Sequence, residues 1–343
     1  MRKLVLICGA FYILLGCKSV SKTIEAKSKN DGFTIAVGSC NRVDLQNLLW
    51  DDVLHTDPSV WIWGGDNVYA DTDDMEKLRK MYTAQNQIDA YAALKEEVPI
   101  IGTWDDHDYG LNDGGEEFAA KKGSQQEFLN FLDVPEDSPR RNREGIYNKH
   151  FYSTPIGSIA VFVLDTRYFR TAVTPDTETN KRLKPNEYGQ GTILGEAQWQ
   201  WLQNELSISS ADFNVLVSSI QVLSNEHGFE TWGNFPHEVD RLKNLIADSK
   251  AKGVMVLSGD RHISEFSRTK IDGLDYPLID FTSSGLTHAY SKFTGEPNPY
   301  RVGKVVSTES FGLLKFDFTT KKVVLSMLGD GGEVLGTLEQ TYE

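Results

Sequence analysis

Residues 102–115 read GTWDDHDYGLNDGG, and within them four aspartates and a histidine occupy the nine positions 105–113. Carboxylates packed this closely repel one another; in a folded pocket they take up protons or demand a cation. The 343-residue chain already carries a net charge of −14, so the crowding adds to an acidic background. The chemistry to expect of this stretch is metal chemistry.

Other polar residues widen the choice of ion. Aspartate and histidine suit many cations, thiolate prefers softer or transition metals, and tyrosine gives up its proton only to a strong Lewis acid such as ferric iron. Cys40 and Tyr69 therefore lean toward iron, while the remaining carboxylates resemble a hard-cation site for calcium, magnesium or manganese. Two unlike ions would use both sets. Metals about 3.5–4 Å apart and bridged by a carboxylate hold a hydroxide and clamp both oxygens of an in-line phosphoryl displacement. Asp66, between the two sets, is the natural bridge.

These residues need elements to position them. FTIAVG (33–38) reads as a buried strand, and DLQNLLWDDVL (44–54) as a helix with Leu45, Leu48, Leu49 and Val53 on one face. SVWIWGGD is a strand ending at Asp66, DDMEKLRKMYTAQNQIDAYAAL reads helical, and VPIIGTWDD is another strand ending in acids. Strands alternating with helices predict an α/β sheet, in which ligands gather at the carboxyl ends of strands. Those ends carry Cys40, Asp66 with Tyr69, and Asp105 to Asp108. SIAVFVLDTR (158–167), FNVLVSSIQ (213–221) and GVMVLSGDRH (253–262) are again apolar runs with polar ends, and residues 195–206 and 237–249 are amphipathic helices. The C-terminal LLKFDF, KVVLSML and GEVLGTLEQ alternate as strands and predict a second, antiparallel-leaning sheet.

The N-terminus bears on the compartment. Arg2 and Lys3 precede the apolar run LVLICGAFYILL, which ends in LLGC at Cys17 before a polar KSVSK. This predicts a bacterial lipoprotein signal over 1–17 with lipid on Cys17, the alternative being a secretory signal cut elsewhere. The run is shorter than the roughly 20 residues that span a bilayer. Lys18 follows the cysteine where an aspartate would mark inner-membrane retention, so the expected anchor is the outer membrane of the cell envelope. Residues 18–32 read as a flexible tether and 33–343 as a single domain, since no linker, repeat or low-complexity run interrupts them. Cys40 is then a lone free thiol in a compartment where thiols normally pair.

Composition narrows the function. With 40% hydrophobic and 11% aromatic residues the chain is too apolar for disorder. Its acidic balance and lack of a Lys/Arg stripe argue against a nucleic-acid surface. A serine hydrolase is a poor rival: no GxSxG elbow is present, the serines of SSIQ and TSSG lack that context, and no P-loop occurs.

In this order, GSCN, GGDNVYAD, WDDHDYGLND, LDTR, LGEAQWQWL and LSGDRH resemble the alkaline phosphatase D (PhoD-like) family of metallophosphoesterases over roughly residues 33–330. The resemblance implies a four-layer α/β sandwich of two mixed β-sheets flanked by helices. It also implies a centre of ferric iron (Fe3+) and calcium (Ca2+) that hydrolyses phosphomonoesters or diesters. Carried over by motif position, Cys40, Asp66, Tyr69 and His262 would bind iron, Asp66 would bridge, and Asp106 and Asp260 would face calcium. His107 falls where the family keeps a catalytic histidine, to protonate the leaving oxygen or steady the phosphoryl charge. The usual DxH opening of the wider superfamily is replaced by GSC, and SSIQ stands where a histidine motif is expected, which loosens metal count and identity.

Blander readings stand beside these. A cysteine after a strand is by itself a small buried hydrophobe, and Tyr69 alone an interfacial aromatic. Asp105 and Asp108 would ligate metal or merely orient His107 and cap a turn. Asn112 and Asp113 suit an Asx turn before Gly114 and Gly115. Arg167 would contact phosphate or pair with Asp165. His227, Trp232 and His237 lie in a loop able to wall a pocket, whereas His55, His150 and His288 read as ordinary histidines. The function expected is phosphomonoester hydrolysis, with phosphodiesterase or phospholipase D-like activity as the alternative and a non-enzymatic metal- or phosphate-binding lipoprotein behind both.

Overall fold

The computed structural model describes the strand Ile24–Glu25 and residues 32–342. The segment 1–17 with Cys17, and most of 18–32, lie outside the described residues. Ile24–Glu25, within the expected tether, pairs in parallel with Tyr152 and Ser153.

Short apolar runs with a period of two build two mixed sheets. One runs, edge to edge, Ile24–Glu25, Asn148–Thr154, Gly157–Val163, Phe213–Val217, Val254–Ser258, Leu278–Ser283, Ser264–Thr269 and Arg301–Val306. The other runs Val334–Thr341, Lys322–Leu328, Phe311–Asp317, Phe33–Gly38, Val60–Gly64 and Ile100–Thr103. Both are parallel where the chemistry-bearing strands lie.

Alternation along each strand explains the layering. Ile159, Val161 and Val163 join a core shared by both sheets, while Ala160 and Phe162 pack with Trp199, Leu202, Leu242 and Ile246 of the helices Gly195–Ser207 and Pro236–Ser249. On the six-stranded sheet, Trp61 and Trp63 meet Trp50 of the helix Trp50–His55 at ring-centroid distances of 5.1 and 5.5 Å. Trp63 Nε1 donates to the hydroxyl of Tyr91, in the helix Asp89–Glu97, at 3.0 Å. The order is helix, sheet, sheet, helix, as the motifs imply. Among the described residues no helix is long and apolar enough to cross a membrane.

Three elements differ from expectation. The helix over 44–54 shrinks to Trp50–His55, leaving Leu45 and Leu48 exposed. Asn47 is the cause: its Oδ1 accepts the Leu49 amide and its Nδ2 donates to Asn41, which supports a turn instead of a helix. The single helix over 73–94 is two, Met75–Asn86 and Asp89–Glu97, divided where Ile88 turns extended. The three C-terminal strands are antiparallel, but they do not form a separate sheet: Phe311–Asp317 pairs with Phe33–Gly38 and extends the first-half sheet.

Candidate metal centre

The carboxyl ends of strands from both sheets meet at one rim, and two glycines permit the approach. A Cβ on Gly259 would stand 2.6 Å from the Gly64 carbonyl oxygen and 2.6 Å from Ser39 Oγ. Gly65, at φ +103°, has its missing Cβ position 2.7 Å from Asp105 Cβ. On one side of this contact the Cys40 amide donates to the Gly65 carbonyl at 3.3 Å, and on the other the Gly259 amide donates to the Ser219 carbonyl at 3.0 Å. Cys40, Asp66, Asp260 and His262 all take left-handed backbone, at φ 60, 51, 66 and 53°. Such conformations cost of order 1–3 kcal/mol each in non-glycine residues and cluster where function requires an aimed side chain.

One half of the site is chemically mixed. Cys40 Sγ, the Asp66 carboxylate and the His262 imidazole each offer an atom within 4.8 Å of the others. Tyr69 joins them, its hydroxyl 3.1 Å from Asp66 Oδ2 and 3.0 Å from His262 Nε2. Burial pushes the Cys40 thiol up to about 11. The Tyr69 hydroxyl is likewise raised, by burial and then by the neighbouring Asp66 and Cys40.

The other half is carboxylate. Asp66, Asp105, Asp106 and Asp260 form a group of the same tightness, and Asp66, Asp106 and His107 another. Burial, then the charges of Cys40, Asp106 and Asp105, hold Asp66 well above the carboxylate range. Asp260 is raised to about 6, first by burial. Asp106 Oδ1 and Asp105 Oδ2 are buried without a hydrogen-bond partner. Buried carboxylates that are mutually repelled and partly unpaired fit a cation, and a neighbouring thiol, phenol and imidazole fit a second, softer one.

His107 lies over this half, on the short helix Asp106–Tyr109 that Asp105 caps. Its amide donates to Asp66 Oδ1 at 3.3 Å, its Nδ1 meets Asp71 Oδ1 at 2.7 Å, and its ring packs on Tyr69 at 4.2 Å. Burial opposes charge on the ring, but the Asp71 hydrogen bond and the Asp66 and Asp106 carboxylates prevail and lift its pKa to about 10.

The open questions about neighbours resolve by geometry. Asp108 is satisfied by the protein alone: it accepts the Asp105 amide at 2.7 Å, Asn67 Nδ2 at 2.6 Å and the Tyr82 hydroxyl at 3.1 Å. Asp105 Oδ1 accepts Arg167 Nε at 2.5 Å and Ser219 Oγ at 2.6 Å. Arg167 meets Asp165 through its backbone amide and not its side chain; the guanidinium spans Asp105 and Glu230, and Glu230 also holds Arg170. Asp113, at φ 47°, donates its amide to Asp106 Oδ2 at 2.7 Å and pairs with Arg182.

Of the loop residues expected to wall a pocket, His227 does so. With Lys181, Arg182, Phe229 and Glu296 it lines an open cleft of about 600 Å³, tied to the centre through Arg182, Asp113 and Asp106. Trp232 is instead fully buried beside Trp199, and His237 bonds the Gly191 carbonyl. His288, read as ordinary, sits at the centre: its ring lies 4.4 Å from His262 and 5.0 Å from Tyr69. No spacing signal marked it, because it follows the strand Leu278–Ser283 by a loop whose return to Cys40 is a tertiary fact.

The sequence profile of PhoD-like phosphatases matches residues 35–296, and the chain belongs to that family. Alkaline phosphatase D of Bacillus subtilis (strain 168) is 24% identical over 318 residues, which cover 77% of this chain and 53% of that protein. The chain thus spans about half the length of that relative. A solved structure of PhoD superposes with a TM-score of 0.71 at 18% identity, covering 93% of this chain and 70% of the other. GAP50, the anchor in the inner membrane complex of Plasmodium, superposes with a TM-score of 0.61 at 14% identity over 91% of this chain and 89% of its own. These two likenesses are of fold.

Proposed function

We propose that the chain is a metal-dependent phosphoester hydrolase, acting on phosphomonoesters. Cys40, Asp66, Tyr69 and His262 would hold ferric iron, and Asp66, Asp106 and Asp260 would hold calcium. One observation carries the reading: Asp66 belongs to every cluster of candidate ligands and stands where the mixed and the carboxylate donors meet. Family membership supports the phosphoester class.

When bound, the two cations supply Lewis acidity, neutralising phosphoryl charge and acidifying water. The protein's own groups do the rest. Asp71 engages His107 Nδ1, which leaves Nε2 to give a proton to the leaving oxygen. The His107 amide on Asp66 Oδ1 fixes the acid's backbone to a ligand. Arg167 holds Asp105 away from solvent and balances part of the carboxylate charge.

The test is hydrolysis of a chromogenic phosphomonoester beside its diester, before and after chelation and with calcium returned. Calcium-restored monoester cleavage is expected, and His107→Gln lowers kcat by roughly 10²- to 10⁴-fold at unchanged metal content. Cys40→Ser lowers iron content and activity together; an unchanged iron-to-protein ratio removes Cys40 from the ligand set. The cleft beside Asp113 favours a second reading, in which it houses the other ester group of a diester; preferential diester cleavage would select it. Turnover of neither, with metals bound, leaves a binding protein. The reading extends to a lipid on Cys17 that anchors the chain at the outer membrane, tested by loss of fatty-acid labelling in Cys17→Ser.

A further inference from the structure

The serines of TSSG, which lack any nucleophile context in sequence, converge on the sulfur side of the centre. Ser284 is fully buried, directly after the strand Leu278–Ser283, and its Oγ lies 3.1 Å from Cys40 Sγ. The same oxygen accepts the His262 amide at 2.8 Å. A hydroxyl that accepts from an amide still has its one proton to give, and a metal-bound thiolate can only accept. Beside a thiolate, that proton would go to sulfur. Ser39 Oγ also approaches the sulfur, at 3.8 Å, but it donates to the Ser283 carbonyl at 3.0 Å.

Ser284 is itself held in place. Its amide donates to Ser264 Oγ at 3.3 Å, and Ser264 Oγ is paired with Ser310 Oγ at 2.9 Å. The next amides in the chain, of Gly285 and Leu286, donate to the Ser39 carbonyl at 3.1 and 3.0 Å, and that of Thr287 to the Cys40 carbonyl at 3.4 Å. One loop thus grips the backbone of the sulfur donor, the backbone of the imidazole donor and the sulfur atom.

We propose that Ser284 is a positioning residue of the metal centre: its hydroxyl donates to Cys40 Sγ while its oxygen holds the His262 amide, so it orients two ligands and sets the electron density on sulfur. The proposal rests on the metal-centre reading above. A hydrogen bond to thiolate withdraws charge from sulfur, which weakens its donation to the metal and moves sulfur-to-metal charge transfer to higher energy.

The experiment uses the full chain, stripped by chelator and titrated with cobalt(II), and reads the sulfur-to-cobalt charge-transfer band together with affinity by chelator competition. Ser284→Ala is expected to move the band to lower energy as sulfur regains charge; the stronger donation is outweighed by the lost anchoring of Cys40 Sγ and the His262 amide, so cobalt binding weakens about 10- to 100-fold. Ser284→Thr keeps the hydroxyl donor without adding a second sulfur, so it is expected to hold the band and the affinity near the parent and keeps the test open should the alanine variant fold poorly. Cys40→Ser removes the band. A band and affinity unchanged in Ser284→Ala, or displaced in Ser284→Thr although its hydroxyl remains, where Cys40→Ser abolishes the band, overturns the Ser284 role alone. A band that survives Cys40→Ser overturns both that role and the sulfur-ligated reading of the centre.

Discussion

Replacing Arg167 with methionine removes one cation from a network that solvent does not reach. Arg167 and Asp105 are fully buried and Glu230 nearly so, and the guanidinium contacts their carboxylates at 2.5 and 2.6 Å. Methionine fills much of the same volume, so the loss is chiefly that of charge pairing. Breaking a buried pair by deleting one partner costs about 3–5 kcal/mol, because the remaining charge stays desolvated. Asp105 is left beside Asp66, Asp106 and Asp260 with Ser219 as its remaining side-chain partner, and Glu230 keeps Arg170. At about 2.1 cal/mol/K of unfolding entropy per residue, 343 residues shift by about 1.4 °C per kcal/mol, so Arg167→Met should melt roughly 4–7 °C below the parent. The assay is urea and thermal denaturation of chelated protein, followed by circular dichroism. Adding Asp105→Asn removes the stranded charge and recovers part of the loss, so the two substitutions are non-additive. A single-variant loss below about 1 kcal/mol, or strict additivity, refutes the account of Arg167 as the counter-charge of the acidic cluster.

Two further outcomes follow from the rim and the loop. Gly259→Ala drives a Cβ to 2.6 Å from the Gly64 carbonyl oxygen, so the sheet ends must part; a loss of about 1–3 kcal/mol and reduced metal content are expected, measured by denaturation and elemental analysis. Burial, with help from Arg261, holds His227 at a pKa of about 3. The unfolded chain therefore takes up the proton first as pH falls below about 6.5, and stability from this site drains at about 1.4 kcal/mol per pH unit on the way down. His227→Gln should flatten that acid limb, and superimposable parent and variant profiles would disprove it.

Much of the site was readable because its residues sit immediately after strands, where local hydrophobic pattern and ligand chemistry coincide. Cys40, Asp66, Asp106, Asp260 and His262 are each within three residues of a strand end or a capped turn, or joined to one by the GDRH run, and the structure gathers all of them. The helices Gly195–Ser207 and Pro236–Ser249 were legible for the same reason, each having one apolar stripe. Most of what failed depended on partners distant in sequence. An alternating run such as LLKFDF specifies a strand but not its neighbour, so its pairing with Phe33–Gly38 was hidden. Arg167 looked toward Asp165 by proximity in sequence, while its partners lie 62 and 63 residues away. His288 carries no motif, and only packing brings it to Tyr69 and His262. Leu45 and Leu48 kept helical spacing, yet one asparagine side chain was enough to prevent the helix from starting there.

The strand Phe33–Gly38 is flanked by Val60–Gly64 on one side and Phe311–Asp317 on the other, with Val37 opposite Gly312. Cys40 lies just past that strand, so the first candidate ligand of the centre depends on a neighbour made long after it. Until residues 311–317 emerge, the strand is an unpaired sheet edge, prone to stray pairing. The placement of Cys40 is thereby coupled to the synthesis of residues 311–317. A chain that stops before that segment would carry Cys40, Asp66 and Asp260 and still leave the strand that aims the cysteine unpaired on one side.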